Sequence, residues 1–136
     1  MKWARLLWAG IAASIASYFV YFVIGSFFSG LYEPVSGLWR AMSTPYWLQN
    51  VIIAMLAVQF LTVFGYAQTH TSLGKRAEMG KKGLKFGLLL WILRDIPIGI
   101  FVFTLMPVPG KLVFVWIGSG FIADMLSGLA VARIYR

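Results

Sequence analysis

Phe86-Gly-Leu-Leu-Leu-Trp91-Ile-Leu-Arg94-Asp95-Ile-Pro97-Ile-Gly-Ile-Phe-Val-Phe-Thr-Leu-Met106 decides how the rest of this chain reads. The stretch is apolar over a length that crosses a bilayer, which takes about 20 residues as a helix. Yet a guanidinium, a carboxylate and a proline stand near its centre. A charge at the middle of a membrane helix costs about 2.5–3.5 kcal/mol on insertion scales, so it faces protein or water and pairs with something. The rest of the sequence has to supply what faces Arg94 and Asp95.

Composition puts the whole chain in lipid. Of its 136 residues 60% are hydrophobic and only 12% are charged, with a mean hydropathy of +0.82. Soluble domains carry about twice that charged fraction. The length admits one domain and about four crossings. The expectation is an all-α, four-helix transmembrane bundle comprising residues 1–136, with helices at about 6–31, 47–67, 86–106 and 112–134.

The net charge of +8 would suit nucleic acid if the basic residues were clustered on a soluble face. They are not. Nine of the twelve, Lys2, Arg5, Lys75, Arg76, Lys81, Lys82, Lys85, Arg133 and Arg136, fall at the two termini and the middle loop. Four helices put these three places on one side, while only Arg40 and Lys111 lie in the other two loops. That asymmetry fits the positive-inside rule, and predicts a multi-pass protein of the cell (inner) membrane with both termini cytoplasmic. Anionic lipid headgroups are the expected partner of Lys75, Arg76, Lys81, Lys82 and Lys85, and nucleic acid is not expected.

Several chemistries find no support. There is no cysteine, so disulfides and thiolate metal sites are excluded. A single histidine, His70, cannot build a two-histidine metal or haem site within one chain, and its expected place is the interface. The GKK run of the middle loop lacks the GxxxxGK[ST] spacing and a preceding strand, so it is no phosphate loop. No nucleophile–base pair or cofactor motif is legible; neither catalytic residue, metal nor cofactor is expected.

Small residues mark the helix faces that meet. Lipid gives no hydrophobic drive between helices, so close backbone approach at Gly, Ala and Ser becomes the main packing device. In the first helix Ala9, Ala13, Ser17, Tyr21, Gly25 and Ser29 recur every four residues. Gly83, Gly87, Trp91, Asp95 and Gly99 do so in the third, and Gly120, Asp124 and Gly128 in the fourth. Gly25, Gly87, Gly99, Gly120 and Gly128 are therefore the expected packing positions. Pro97 cannot donate to the carbonyl of Leu93 and is expected to kink the third helix there. Pro34-Val-Ser-Gly37 and Pro107-Val-Pro-Gly110, 73 residues apart, form a weak internal repeat that suggests two parallel hairpins.

Depth links the polar residues. At 1.5 Å per residue, Asp95 lies about 16 Å from Met106, and Asp124 lies about 18 Å from Leu112. Gln59 and Tyr21 lie at about 18 Å from Trp47 and Glu33 by the same rise. Each helix thus offers a polar group near the middle of a hydrocarbon core about 30 Å thick. The expected cluster is Arg94, Asp95, Asp124, Gln59 and Tyr21. In it Arg94 pairs with Asp124 across the third and fourth helices, and Asp95 bonds to Gln59, Tyr21 or water.

The segment Gly25-Ser-Phe-Phe-Ser-Gly30 leading to Trp39 resembles small uncharacterised four-helix prokaryotic membrane proteins. So does Gly118-Ser-Gly-Phe-Ile-Ala-Asp-Met-Leu-Ser-Gly128, which leads to Ala132-Arg-Ile-Tyr-Arg136. The resemblance rests on glycine spacing; it implies a bundle and supplies no activity. A first-helix glutamate like that of the small multidrug transporters is missing. Two functions remain open. One is a non-catalytic accessory or interaction subunit, partnered by other membrane subunits or itself, whose Arg/Asp cluster sets helix packing. The other is an oligomeric ion channel or proton-coupled small transporter using Asp95 and Asp124.

Overall fold

The computed structural model describes residues 3–38, 45–73 and 78–135. Every regular element among them is helical. Helix α1 runs over Trp3–Phe27 and α2 over Trp47–Thr69. The third span is α3, Met79–Leu90, a wide π turn at Trp91–Asp95, and α4, Ile96–Leu105. The last helix, α5, runs over Gly110–Ile134. The four spans are each long and apolar enough to cross a membrane. Without water in a bilayer core, backbone groups must bond within their own segment, which a helix accomplishes.

Helix ends follow local chemistry. After α1 the chain tightens into two 3₁₀ turns, Ser29–Leu31 and Glu33–Leu38, where Gly30, Pro34 and Gly37 interrupt α-helical bonding. The second turn closes the first described stretch, and residues 39–44 lie outside the described region. Tyr46 takes a left-handed conformation (φ 64°) ahead of α2, and its carbonyl accepts from the Asn50 N–H. Met106 is extended (φ −121°, ψ 141°), as a residue before proline is driven to be, and α5 begins within four residues. The third span begins at Met79, seven residues before the expected start at 86. The expectation followed hydropathy, but a helix needs no apolar residues once it leaves the hydrocarbon, and 79–85 continue it in the basic region.

Helix α5 is the centre of the bundle, packing along α1 on one side and α3 on the other, while α2 lies against α1. Two apolar clusters close the ends. At the basic end Leu6, Ala9, Ala13, Val63, Tyr66, Phe86, Val131 and Ala132 pack together, with the Tyr66 ring edge-on to Phe86 at 5.1 Å. At the proline-rich end Val35, Val108, Leu112 and Val113 form the second cluster, and Trp116 Nε1 donates to Tyr32 Oη at 2.9 Å. The first cluster joins the starts of α1 and of the third span to the ends of α2 and α5, so the spans run alternately up and down. Val35 and Val108, equivalent positions of the weak repeat, meet in the second cluster.

Glycine brings α3 and α5 into backbone contact. A methyl on Gly83 would lie 2.7 Å from the Gly128 carbonyl oxygen, and one on Gly87 would overlap the carbonyl of Asp124. Gly128 likewise faces the Gly83 carbonyl. This is the small-residue packing expected of helices in lipid.

Candidate functional site

Midway along the spans, between the two apolar clusters, lies a polar layer. The π turn shapes it. Pro97 has no N–H to give, and the Ile96 N–H reaches back five residues to the Trp91 carbonyl. Such a turn is wider than an α turn and is frequent at functional sites. Successive side chains diverge less in it, so Arg94 can fold onto its own neighbour: Arg94 Nε donates to Asp95 Oδ1 at 2.8 Å. The expected kink at Pro97 thus takes the form of this turn. Trp91 anchors it, donating from Nε1 to the Ile117 carbonyl at 2.8 Å and standing edge-on to Phe121 at 5.1 Å.

Arg94 also donates from Nη2 to Asp124 Oδ1 at 2.5 Å, which joins the third span to α5. The Asp124 side chain is 1% exposed and that of Asp95 13%, whereas the Arg94 side chain remains 26% exposed. Gly120, one turn from Asp124, has no side chain because Asp95 occupies its place: a methyl there would overlap the Asp95 carboxylate. The second carboxylate oxygens, Asp95 Oδ2 and Asp124 Oδ2, are buried without a hydrogen-bond partner.

A second polar chain lies one turn along α5. Gln59 Nε2 donates to Ser17 Oγ at 2.8 Å, and Ser17 Oγ is 2.8 Å from Ser127 Oγ. Ser127 in turn reaches the Ala13 carbonyl at 3.3 Å. One chain of hydroxyls and an amide therefore ties α2, α1 and α5 together. Gln59 Oε1 is left unpartnered.

These positions correct part of the expected cluster. Gln59 does not bond to Asp95; it turns to Ser17 of α1, because α2 lies against α1 and away from the π turn. Tyr21 stands within Coulombic reach of Arg94, Asp95 and Asp124 but is 38% exposed, and among the described residues it makes no hydrogen bond to them. Asp95 takes its bond from Arg94 instead. Of the packing glycines, Gly87, Gly120 and Gly128 lie in close contacts, and Gly99 faces the Ile117 side chain, with a methyl there 2.6 Å from it. Gly25 is an exception, with nothing within 4 Å of where its Cβ would be. The helix ends two residues later.

The basic residues also divide. Lys75 and Arg76 lie outside the described residues. Lys81 and Lys85 are exposed on α3, with Lys81 paired to Glu78 at 3.1 Å. Lys82 is not a surface residue. It is buried, and its Nζ donates to the His70 carbonyl at 3.0 Å. It shares the face of α3 that carries Phe86, and the orphan carbonyls at the end of α2 are a better partner for an inward ammonium than a headgroup. His70 itself sits at that end, Nδ1 against the Ala67 carbonyl at 2.9 Å and ring on Tyr66 and Tyr135.

In the sequence Ser17 reads only as part of the small-residue line of the first helix, and Ser127 is given no role. Their spacing held a further signal: Ser17 is four residues from Tyr21 and Ser127 three from Asp124, so each lies on the polar face of its helix. Chemically, the layer offers acceptor oxygens held in place by one guanidinium. Among the described residues no group of three or more His, Cys, Asp or Glu converges. No protein-family model, curated protein or solved structure matches the chain.

Proposed function

We propose that this chain is a non-catalytic integral membrane protein, a small accessory or interaction subunit of a larger assembly in the cell membrane, with both termini cytoplasmic. One observation carries the reading. The π turn and α4 are barely covered: of the residues Trp91–Leu105 only Gly99 is buried, whereas α5 buries residues from Leu112 to Ala132. Arg94 is part of that uncovered surface. Acyl chains are poor neighbours for a guanidinium at mid-span, and another protein surface over this face removes the cost. The partner is another membrane subunit or a second copy of this chain.

The reading is tested by a photo-crosslinking residue at Leu93, which is 68% exposed on this span, in the native membrane. Adducts with a second polypeptide support it. Adducts with lipid alone, together with a lone monomer in native mass analysis, contradict it. The buried, unpartnered carboxylate oxygens favour a second reading, an oligomeric channel or proton-coupled carrier. Liposome flux that falls in Asp95→Asn and Asp124→Asn is its signature; undiminished flux removes it.

A further inference from the structure

We propose that Asp95 and Asp124 form a binding site for one small, hard, monovalent cation, either a proton or Na⁺, on the edge of the Arg94 guanidinium. The geometry of that edge is the starting point. Nε–H and one Nη2–H point the same way and form the planar fork that ordinarily holds both oxygens of a single carboxylate. Here the fork is shared: Asp95 Oδ1 takes Nε and Asp124 Oδ1 takes Nη2. Two carboxylates are thereby joined to one guanidinium, each with its second oxygen buried and without a hydrogen-bond partner, that of Asp95 lying against Gly120.

Two acids against one guanidinium leave one negative charge uncompensated. Among the described residues nothing else nearby removes it. From α1 the group facing the cluster is Tyr21, a phenol, and the buried Gln59 of α2 is engaged with Ser17. The third span contributes Arg94 and Asp95, already counted, and Trp91, whose N–H is given to Ile117. From α5 comes Asp124 itself. Among the described residues no group donates to these two oxygens, so what they take is a donor or a cation rather than an anion. The deficit is a single charge, so the occupant is monovalent. Asp124 is the deeper ligand, with its side chain 1% exposed, and the bare Cα of Gly120 holds Asp95 beside it. The site requires neither the proposed subunit interface nor a transport cycle.

The test uses the whole chain in nanodiscs, in two arms that separate the sources of charge. Asp95 and Asp124 are the only aspartates in the sequence, so ¹³C labelling of the aspartate carboxyls assigns any carboxyl infrared band to this pair without mutation. If Na⁺ is the occupant, NaCl raises the melting temperature over choline chloride at equal ionic strength, saturably and by about 4 °C or more. Asp124→Asn abolishes the rise. If a proton is the occupant, Na⁺ has no specific effect and a carboxylic-acid carbonyl band appears at neutral pH and shifts on ¹³C-aspartate labelling. The proposal is overturned if neither the Na⁺ response nor the labelled acid band is found in the wild-type protein.

Discussion

The Asp95 carboxylate rests on the bare Cα of Gly120, so that a residue of the π turn occupies the volume α5 leaves empty. The contact relates two features of different origin. Pro97 and the wide turn before it aim Asp95 at α5, and a glycine at position 120 receives it.

Gly120→Ala therefore displaces the Asp95 carboxylate or parts the helices. Overpacking of this kind costs about 1–3 kcal/mol. Gly25→Ala and Gly118→Ala, where a methyl meets nothing within 4 Å, are the controls and should be close to neutral. Equilibrium unfolding in mixed micelles distinguishes them; equal effects at positions 120 and 118 would count against the packing.

Gly87→Ala meets backbone rather than a side chain, since the Asp124 carbonyl lies where the methyl would go. Backbone cannot rotate away. The expected loss is at least as large as at Gly99, where the Ile117 side chain can yield. Thermal melts of the two alanine variants, side by side, check the order.

The Gln59–Ser17–Ser127 chain should matter less. Interhelical hydrogen bonds in membrane proteins contribute about 0.6 kcal/mol on average and about 1.7 at most. Ser17→Ala is expected to fall in that range, and a loss several times larger would mean that the chain does more than join α2, α1 and α5.

Topology is open to direct labelling because the chain has no cysteine of its own. Ser36 and Ser72 are exposed near opposite ends of the bundle. In intact cells Ser36→Cys should react with an impermeant maleimide, while Ser72→Cys should react only after the membrane is opened. The reverse pattern would invert the proposed orientation.

Much of this architecture is readable from residue type and spacing. Apolar length locates the four spans, and the glycine lines of the third and fourth locate their crossing. The Arg94–Asp124 pair follows from depth, because each residue count along a helix converts to height. Height is not azimuth, however. Gln59 lies at the expected level yet faces Ser17, since the side of α1 on which α2 packs cannot be counted from the sequence. Tyr21 is left on the rim for the same reason. The π turn was legible only as a proline-induced kink; that it would fold Arg94 onto Asp95 depends on a backbone bond that side-chain patterning does not encode. Lys82 misled because its charge indicates a surface, while its neighbours Gly83 and Phe86 mark a buried face.

The central claim is that one guanidinium binds the third span to α5 through Asp124, and a double-mutant cycle between these two residues measures it most directly. Arg94→Leu alone strands a buried carboxylate, and breaking such a pair costs about 3–5 kcal/mol. With Asp124→Leu added, the account predicts that part of the loss is recovered, so that the double variant is more stable in the bilayer than Arg94→Leu. A double variant no more stable than the single, with the two effects simply additive, would contradict the pairing on which the site is built.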